Sequence, residues 1–317
     1  MLSIIIPAYN EELNIKNTAR VISEIMNESE IPYELIFVDD GSTDKTWEYI
    51  LSAKEDIPEI RGLKFSRNFG KEGAIFAGFK SCTGDCAVLL DCDLQHPPKL
   101  IPEMYSLWQD GYEVVEAVKS DRGKEGLMYK LFAKSFYKLL KSSSKVNLDG
   151  ASDFKLLDRK AIDTLNDMPE RLTFFRAMSS WIGFKTTQIE FQVAPRAAGE
   201  TKWKFSQLVK FAVNNLTSFT TIPMQIVTLM GVLFFIFSLI FGVYTVVKFF
   251  NGQSLAGFST VILLICIQGS IVMFALGIIG FYISKIYEEI KFRPRFIISV
   301  DTAKKPKKDT AKESNEN

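Results

Sequence analysis

The chain has 317 residues, enough for one large domain or two modest ones, and its 47% hydrophobic content allows both a sizeable core and membrane segments. Its 38 Lys and Arg almost cancel 37 Asp and Glu, leaving a net charge of +1, which argues against a nucleic-acid partner. Four cysteines, Cys82, Cys86, Cys92 and Cys266, form no C-x-x-C pair and His96 is the one histidine, so neither a disulfide framework nor a zinc centre is expected. No signal peptide precedes the first predicted strand, and a reduced, cytoplasmic catalytic part follows from that reading.

The first predicted element is a strand over residues 2–6. It runs into Pro7-Ala8-Tyr9-Asn10-Glu11-Glu12, where Asn10 is placed to cap a helix over 13–26 with Glu11 and Glu12 in its first turn. A second apolar run, Leu35-Ile36-Phe37-Val38, ends in Asp39-Asp40-Gly41-Ser42, and Ser42-Thr43-Asp44 introduces a helix over 46–54. A third, Cys86-Ala87-Val88-Leu89-Leu90, ends in Asp91-Cys92-Asp93. Runs this apolar read as strands covered on both faces, and helices between them give right-handed βαβ units in a largely parallel sheet. Ligands bind such sheets at the carboxyl ends of the strands. Two carboxylates there cost several kcal/mol each unless a cation compensates them, so Asp91 and Asp93 mark a candidate site for a divalent ion, and their oxygen donors point to Mg²⁺ or Mn²⁺. His96, beside Pro97 and Pro98, reads as a loop-shaping residue.

Between Lys210 and Lys285 the only charged side chain is Lys248. Apolar segments over 222–250 and 257–284 each exceed the roughly 20 residues a membrane helix needs, and the break Asn251-Gly252-Gln253-Ser254 divides them into a hairpin. Lys202, Lys204 and Lys210 precede the pair, and Lys285, Lys291, Arg293 and Arg295 follow it. This distribution places both termini in the cytoplasm. Residues 204–221 alternate lysines with apolar residues at helical spacing. They read either as an amphipathic segment lying in the interface or as an extension of the first membrane helix. The remainder, 285–317, reads as a cytoplasmic tail, disordered from about 303.

Six stretches stand out: Pro7-Ala8-Tyr9-Asn10-Glu11, Val38-Asp39-Asp40-Gly41-Ser42, Arg67-Asn68-Phe69-Gly70-Lys71, Asp91-Cys92-Asp93-Leu94-Gln95-His96-Pro97-Pro98, Ser152-Asp153-Phe154 and Arg196-Ala197-Ala198-Gly199-Glu200-Thr201-Lys202-Trp203. Together they resemble the GT-A fold, family 2 glycosyltransferases, and within them the polyprenyl-phosphate group that includes dolichol-phosphate mannose synthases and bactoprenol glucosyltransferases. They occur in the family's order across the first two hundred residues. The resemblance implies a GT-A, Rossmann-like catalytic domain over 1–203, ahead of the membrane hairpin.

It also implies roles. The nucleotide would lie against Pro7, Tyr9, Glu11, Val38 and Asp40, with Lys71 near phosphate. Asp91, Cys92, Asp93 and Gln95 would surround the diphosphate, metal and sugar. Arg196 and Lys202 resemble the residues that hold the acceptor phosphate, which is already mostly dianionic at neutral pH and hardly needs a base. Asp153 matches a candidate base or acceptor-orienting carboxylate, with pairing to a nearby cation as the alternative. Lys155 and Lys119 stand where relatives carry arginine, and Arg122 is a candidate to supply the missing charge.

The implied reaction is an inverting transfer from a UDP-sugar to undecaprenyl phosphate, for envelope glycosylation. Glucose is favoured because the two-helix hairpin and Ala-Gly-Glu-Thr-Lys-Trp resemble the bactoprenol glucosyltransferase branch. GDP-mannose and aminoarabinose donors remain open, as does a non-catalytic subunit that binds nucleotide sugar. A polymerising synthase is disfavoured because the chain lacks Gln-x-x-Arg-Trp and has too few membrane helices. A homo-oligomer, a tetramer by resemblance, is expected in the cytoplasmic membrane.

Overall fold

The computed structural model describes residues 1–119, 152–170, 174–191, 222–252 and 257–303. Two compact units divide the chain. One holds the N-terminal part together with the segment from Pro294, and the other holds the two long helices up to Arg293.

In the first unit the strands are β1 (Leu2–Ala8), β2 (Tyr33–Asp39), β3 (Ile60–Phe65), β4 (Cys86–Leu89), β5 (Val114–Lys119), β6 (Lys155–Asp158), β7 (Thr186–Phe191) and β8 (Ile298–Asp301). They form one sheet in the order β7-β5-β6-β4-β1-β2-β3-β8. The central four strands, β3-β2-β1-β4, are parallel, which is the α/β sheet that the GT-A resemblance implies. β6 lies antiparallel to β4 and β5, β7 runs parallel to β5, and β8 is antiparallel to β3. Leu2, Ile4, Ile5, Ile6, Leu35, Ile36, Phe37 and Val38 are fully buried, because helices cover both faces of these strands.

The helices are α1 (Ile15–Glu28), α2 (Thr46–Asp56), α3 (Lys71–Ser81), α4 (Ile101–Gln109), α5 (Arg159–Asp167) and α6 (Phe175–Trp181). α3 packs flush on the sheet: a Cβ on Gly78 would lie 2.3 Å from Ile5 Cγ2. β1 connects onward to β2 on one side while β4 flanks it on the other, so the strand order reverses between β1 and β4. That crevice is where open α/β sheets bind ligands.

Two expectations are corrected. α1 starts at Ile15 rather than 13, and Asn10 does not cap it. Asn10 takes a left-handed backbone (φ 55°) and its side-chain oxygen accepts the N–H of Thr43 at 2.9 Å, tying the loop after β1 to the loop after β2. The second correction concerns residues 298–301, expected as tail. They form the edge strand β8, with Leu63 opposite Asp301 and Lys64 opposite Val300.

The second unit contains α7 (Ile222–Phe250) and α8 (Phe258–Ile290). Spans 227–248 and 267–290, with mean hydropathy 2.4 and 1.8, are long and apolar enough to cross a membrane. α8 continues past the expected end at 284 because Ile-Tyr-Glu-Glu-Ile offers no helix breaker before Pro294. The amphipathic segment over 204–221, the boundary at 203 and the tail from 304 lie outside the described residues.

Candidate active site

Three loops at the carboxyl ends of β1, β2 and β3 are laced together by side chains. The N–H of Asn10 donates to Ser42 Oγ (2.9 Å) and that of Glu11 to Thr46 Oγ1 (2.8 Å). In return, Lys45 N–H donates to Glu12 Oε2 at 3.0 Å. Asp39 is fully buried, with Oδ1 accepting Ser42 N–H at 2.9 Å. Asp40 receives the N–H groups of Phe69 and Gly70 at 2.6 and 2.9 Å, and burial outweighs these bonds to raise its pKa. Its carboxylate therefore shapes the loop that leads into α3. Gly41 (φ +68°) is required where it stands, since a Cβ would lie 2.4 Å from the Arg67 carbonyl carbon.

That loop delivers Lys71 as the first residue of α3. Its ammonium lies 2.6 Å from Asp91 Oδ1 and 2.7 Å from Asp153 Oδ2. Asp153 is buried just before β6, and Arg176 of α6 grips it with Nε on Oδ1 (2.6 Å) and Nη2 on Oδ2 (3.0 Å). Burial works against both charges, but the pairing wins. Asp91 and Asp153 raise the Lys71 pKa, and Lys71 and Arg176 hold the Asp153 carboxyl well below the usual carboxylate range. Asp91 is likewise lowered against burial by Lys71 and His96. A carboxylate held this acidic is a weak proton acceptor at neutral pH.

After β4 the backbone turns sharply. Leu94 takes φ 56°, a strained conformation for a bulky residue that costs about 1–3 kcal/mol. Asp93 Oδ1 accepts Gln95 N–H at 3.1 Å, which keeps both residues on the crevice rim. His96 is buried and stacks on Phe154 with centroids 5.3 Å apart, in keeping with a role in shaping the loop.

The structure brings Lys71, Asp91 and Asp153 together, and Tyr9, Glu11, Asp93 and Gln95 occupy the same strand ends. Val38 is fully buried and the Cys92 side chain lies in the core with its thiol pKa raised by burial, so these two can offer a ligand only their backbone. Pro7 sits one residue before the end of β1. Arg196, Lys202 and Arg122 lie outside the described residues, as does the side chain of Lys119. Lys155 is buried, paired with Glu116 at 2.9 Å and donating to Ser179 Oγ at 3.0 Å. Its charge is thus used inside the sheet.

Sequence reasoning missed two neighbours of this cluster. Arg176 follows Phe174-Phe175 with no distinguishing spacing, and Glu72 adjoins Lys71 without any signal of burial. Glu72 accepts the N–H of Phe175 at 2.9 Å, and burial together with Asp153 pushes its pKa up to about 7.

This crevice can accept an anion-bearing ligand at its strand ends and present both carboxylates and cations to it. Residues 3–165 match the profile described as glycosyl transferase family 2. The uncharacterized glycosyltransferase YkcC of Bacillus subtilis (strain 168) is 37% identical over 93% of this chain and 92% of its own. A prophage bactoprenol glucosyl transferase homolog of Escherichia coli (strain K12) is 34% identical over 94% of this chain and 98% of its own. Among solved structures, glucosyl-3-phosphoglycerate synthase from Mycobacterium tuberculosis superposes with TM-score 0.46 and 20% identity, over 69% of this chain and 80% of that one. With the family profile spanning the crevice from β1 past Asp153 and full-length relatives above 30% identity, the chain belongs to glycosyl transferase family 2.

Proposed function

We propose that this glycosyltransferase moves glucose from a UDP-sugar to undecaprenyl phosphate or a similar polyprenyl phosphate, with inversion, at the cytoplasmic face of a membrane. The observation that carries the reading is the extent of the match to the bactoprenol glucosyl transferase homolog. It covers 94% of this chain, more than could be matched without the two apolar helices.

The donor's nucleotide lies along Pro7, Tyr9, Glu11, Val38 and Asp40, and its diphosphate reaches Lys71, Asp91, Cys92, Asp93 and Gln95. Asp91 and Asp93 fit Mg²⁺ or Mn²⁺. Both offer hard oxygen donors, and among the described residues no third His, Cys, Asp or Glu joins them, which suits a cation that completes its shell with substrate phosphate and water. When bound, the ion neutralises charge on the leaving diphosphate. The acceptor phosphate is already mostly dianionic at neutral pH, so its requirement is cationic positioning. Arg196 and Lys202 hold that phosphate. Asp153 orients the cations Lys71 and Arg176 and does not remove a proton.

α7 and α8 form the membrane hairpin, with the catalytic domain and both termini cytoplasmic. Two facts support this: lysines and arginines flank the pair on both outer ends, and the chain returns after α8 to the same sheet as β8, so it crosses an even number of times. The subunits assemble as a homo-oligomer, a tetramer in this reading.

The test incubates detergent-purified protein with undecaprenyl phosphate, Mg²⁺ or Mn²⁺, and labelled UDP-glucose, GDP-mannose and UDP-aminoarabinose, and follows label into the organic phase. Label from UDP-glucose, lost with EDTA and in Asp93→Ala, is the expected result. Nucleotide binding without transfer from any donor overturns it in favour of a binding subunit.

A further inference from the structure

The two cations on Asp153 come from different helices, Lys71 from α3 and Arg176 from α6, so their shared grip depends on the spacing of those helices. Two contacts within the catalytic sequence set it. Glu72 of α3 accepts the first N–H of α6, and Phe79 of α3 packs on Phe175 of α6 with centroids 5.5 Å apart.

The third contact comes from beyond the hairpin. Arg295 lies over the ring of Phe76 on α3, its guanidinium carbon 4.7 Å from the centroid, and its Nη2 donates to the carbonyls of Met168 and Glu170, which follow α5 and lead toward α6. Phe76 in turn meets Phe79 edge-on at 6.2 Å, so Arg295 caps an aromatic row, Phe76-Phe79-Phe175, that runs from α3 to α6. The neighbouring residues fix Arg295 itself. Phe296 stacks on Phe65 with centroids 5.5 Å apart, and β8 follows at once, anchored by the paired bonds from Arg61 to Asp301 at 3.0 and 2.8 Å. The planar guanidinium can lie on a ring and donate two in-plane hydrogen bonds together, and an ammonium cannot.

We infer that Arg295 is a positioning residue for the transfer reaction: it holds α3 and α6 at the spacing at which Lys71 and Arg176 share Asp153, making the site depend on the segment that emerges from the second apolar helix. The inference rests on the function proposed above for that cluster.

The test compares full-length wild type, Arg295→Met and Arg295→Lys in detergent, measuring transfer kinetics and amide hydrogen exchange. In Arg295→Met, kcat falls about tenfold while KM for the sugar nucleotide stays within about twofold. Exchange accelerates in α6 and the start of α3 but not in β1, β2 or β4. Arg295→Lys falls between. An unchanged kcat or unchanged exchange in α6 overturns the inference, and so does acceleration across the whole sheet, which would make Arg295 an ordinary stability residue. If wild type transfers no sugar from any donor, the proposed reaction fails, and the exchange pattern alone then decides whether Arg295 positions α6.

Discussion

Gripped by an ammonium and a guanidinium together, Asp153 is suited to orienting cations and unsuited to taking a proton. Loss of a general base typically costs 10²–10⁴-fold in rate. Asp153→Asn keeps the shape and one acceptor oxygen while removing the charge, so kcat is expected to fall only about tenfold; a drop beyond about a thousandfold would restore the base. Glu72 gives a second test at this scale. Its pKa stands at about 7 in the folded chain against an ordinary 4.5, through burial and Asp153, with Lys71, Arg176 and the Phe175 N–H opposing. A raised carboxyl pKa means that the folded state binds the proton more tightly. Its contribution is therefore fully present below about 4.5 and lost as pH rises through about 7. Glu72→Gln removes that loss while keeping the acceptor for Phe175. The decrease in Tm between pH 5 and pH 8 is expected to be smaller in the variant, and an equal decrease would show that Glu72 does not titrate there. Asp91 and Asp93 were legible in the sequence because a carboxylate at the end of an apolar run conflicts with burial. Arg176 and Glu72 were not, because their meaning comes from partners that only the fold brings to them: Phe175, 103 residues from Glu72, and Asp153, 23 residues from Arg176.

Short elements carry much of the site's order. α6 has only seven residues, too few to persist alone, yet it presents Arg176. It is pinned at its start by Glu72 and near its end by Lys155 on Ser179. β8 is shorter still, and its four residues have a period-two pattern too brief to read in a sequence. What identifies it is tertiary: Arg61 reaches Asp301 with two nitrogens, Thr302 Oγ1 accepts Gly62 N–H at 2.9 Å, and Lys54 donates to the Thr302 carbonyl at 3.1 Å. β1, β2 and β4 were legible because continuous burial writes itself as continuous apolarity, and β4, with four residues like β8, differs from it in being buried throughout. Asp301→Ala leaves the Arg61 guanidinium partly buried with the Ser81 carbonyl at 2.6 Å as its one hydrogen-bond acceptor among the described residues, and should lower stability by about 2–3 kcal/mol. Denaturant unfolding with an unchanged m value would measure it. A change under about 0.5 kcal/mol would mean that β8 adds little to the sheet.

At the scale of the whole chain, two independent arguments lead to one topology. The proposed orientation of the hairpin rests on charge in its flanks by the positive-inside rule, and the proposed parity rests on the return of the chain after α8 to the sheet as β8. In the proposed topology the first argument chooses the side and the second the parity, so a single labelling experiment tests both. Cys82, Cys86 and Cys92 are buried, and in a Cys266→Ala background they leave little to react with a membrane-impermeant maleimide. A cysteine at Asn251, in the turn after α7, should then label in intact cells. One at Glu59, exposed before β3, should label only after lysis. The opposite pattern would reverse the orientation and place the donor site away from cytoplasmic sugar nucleotides. Equal labelling of both in intact cells would mean that α7 and α8 do not carry the turn across, and the parity argument would lose its membrane.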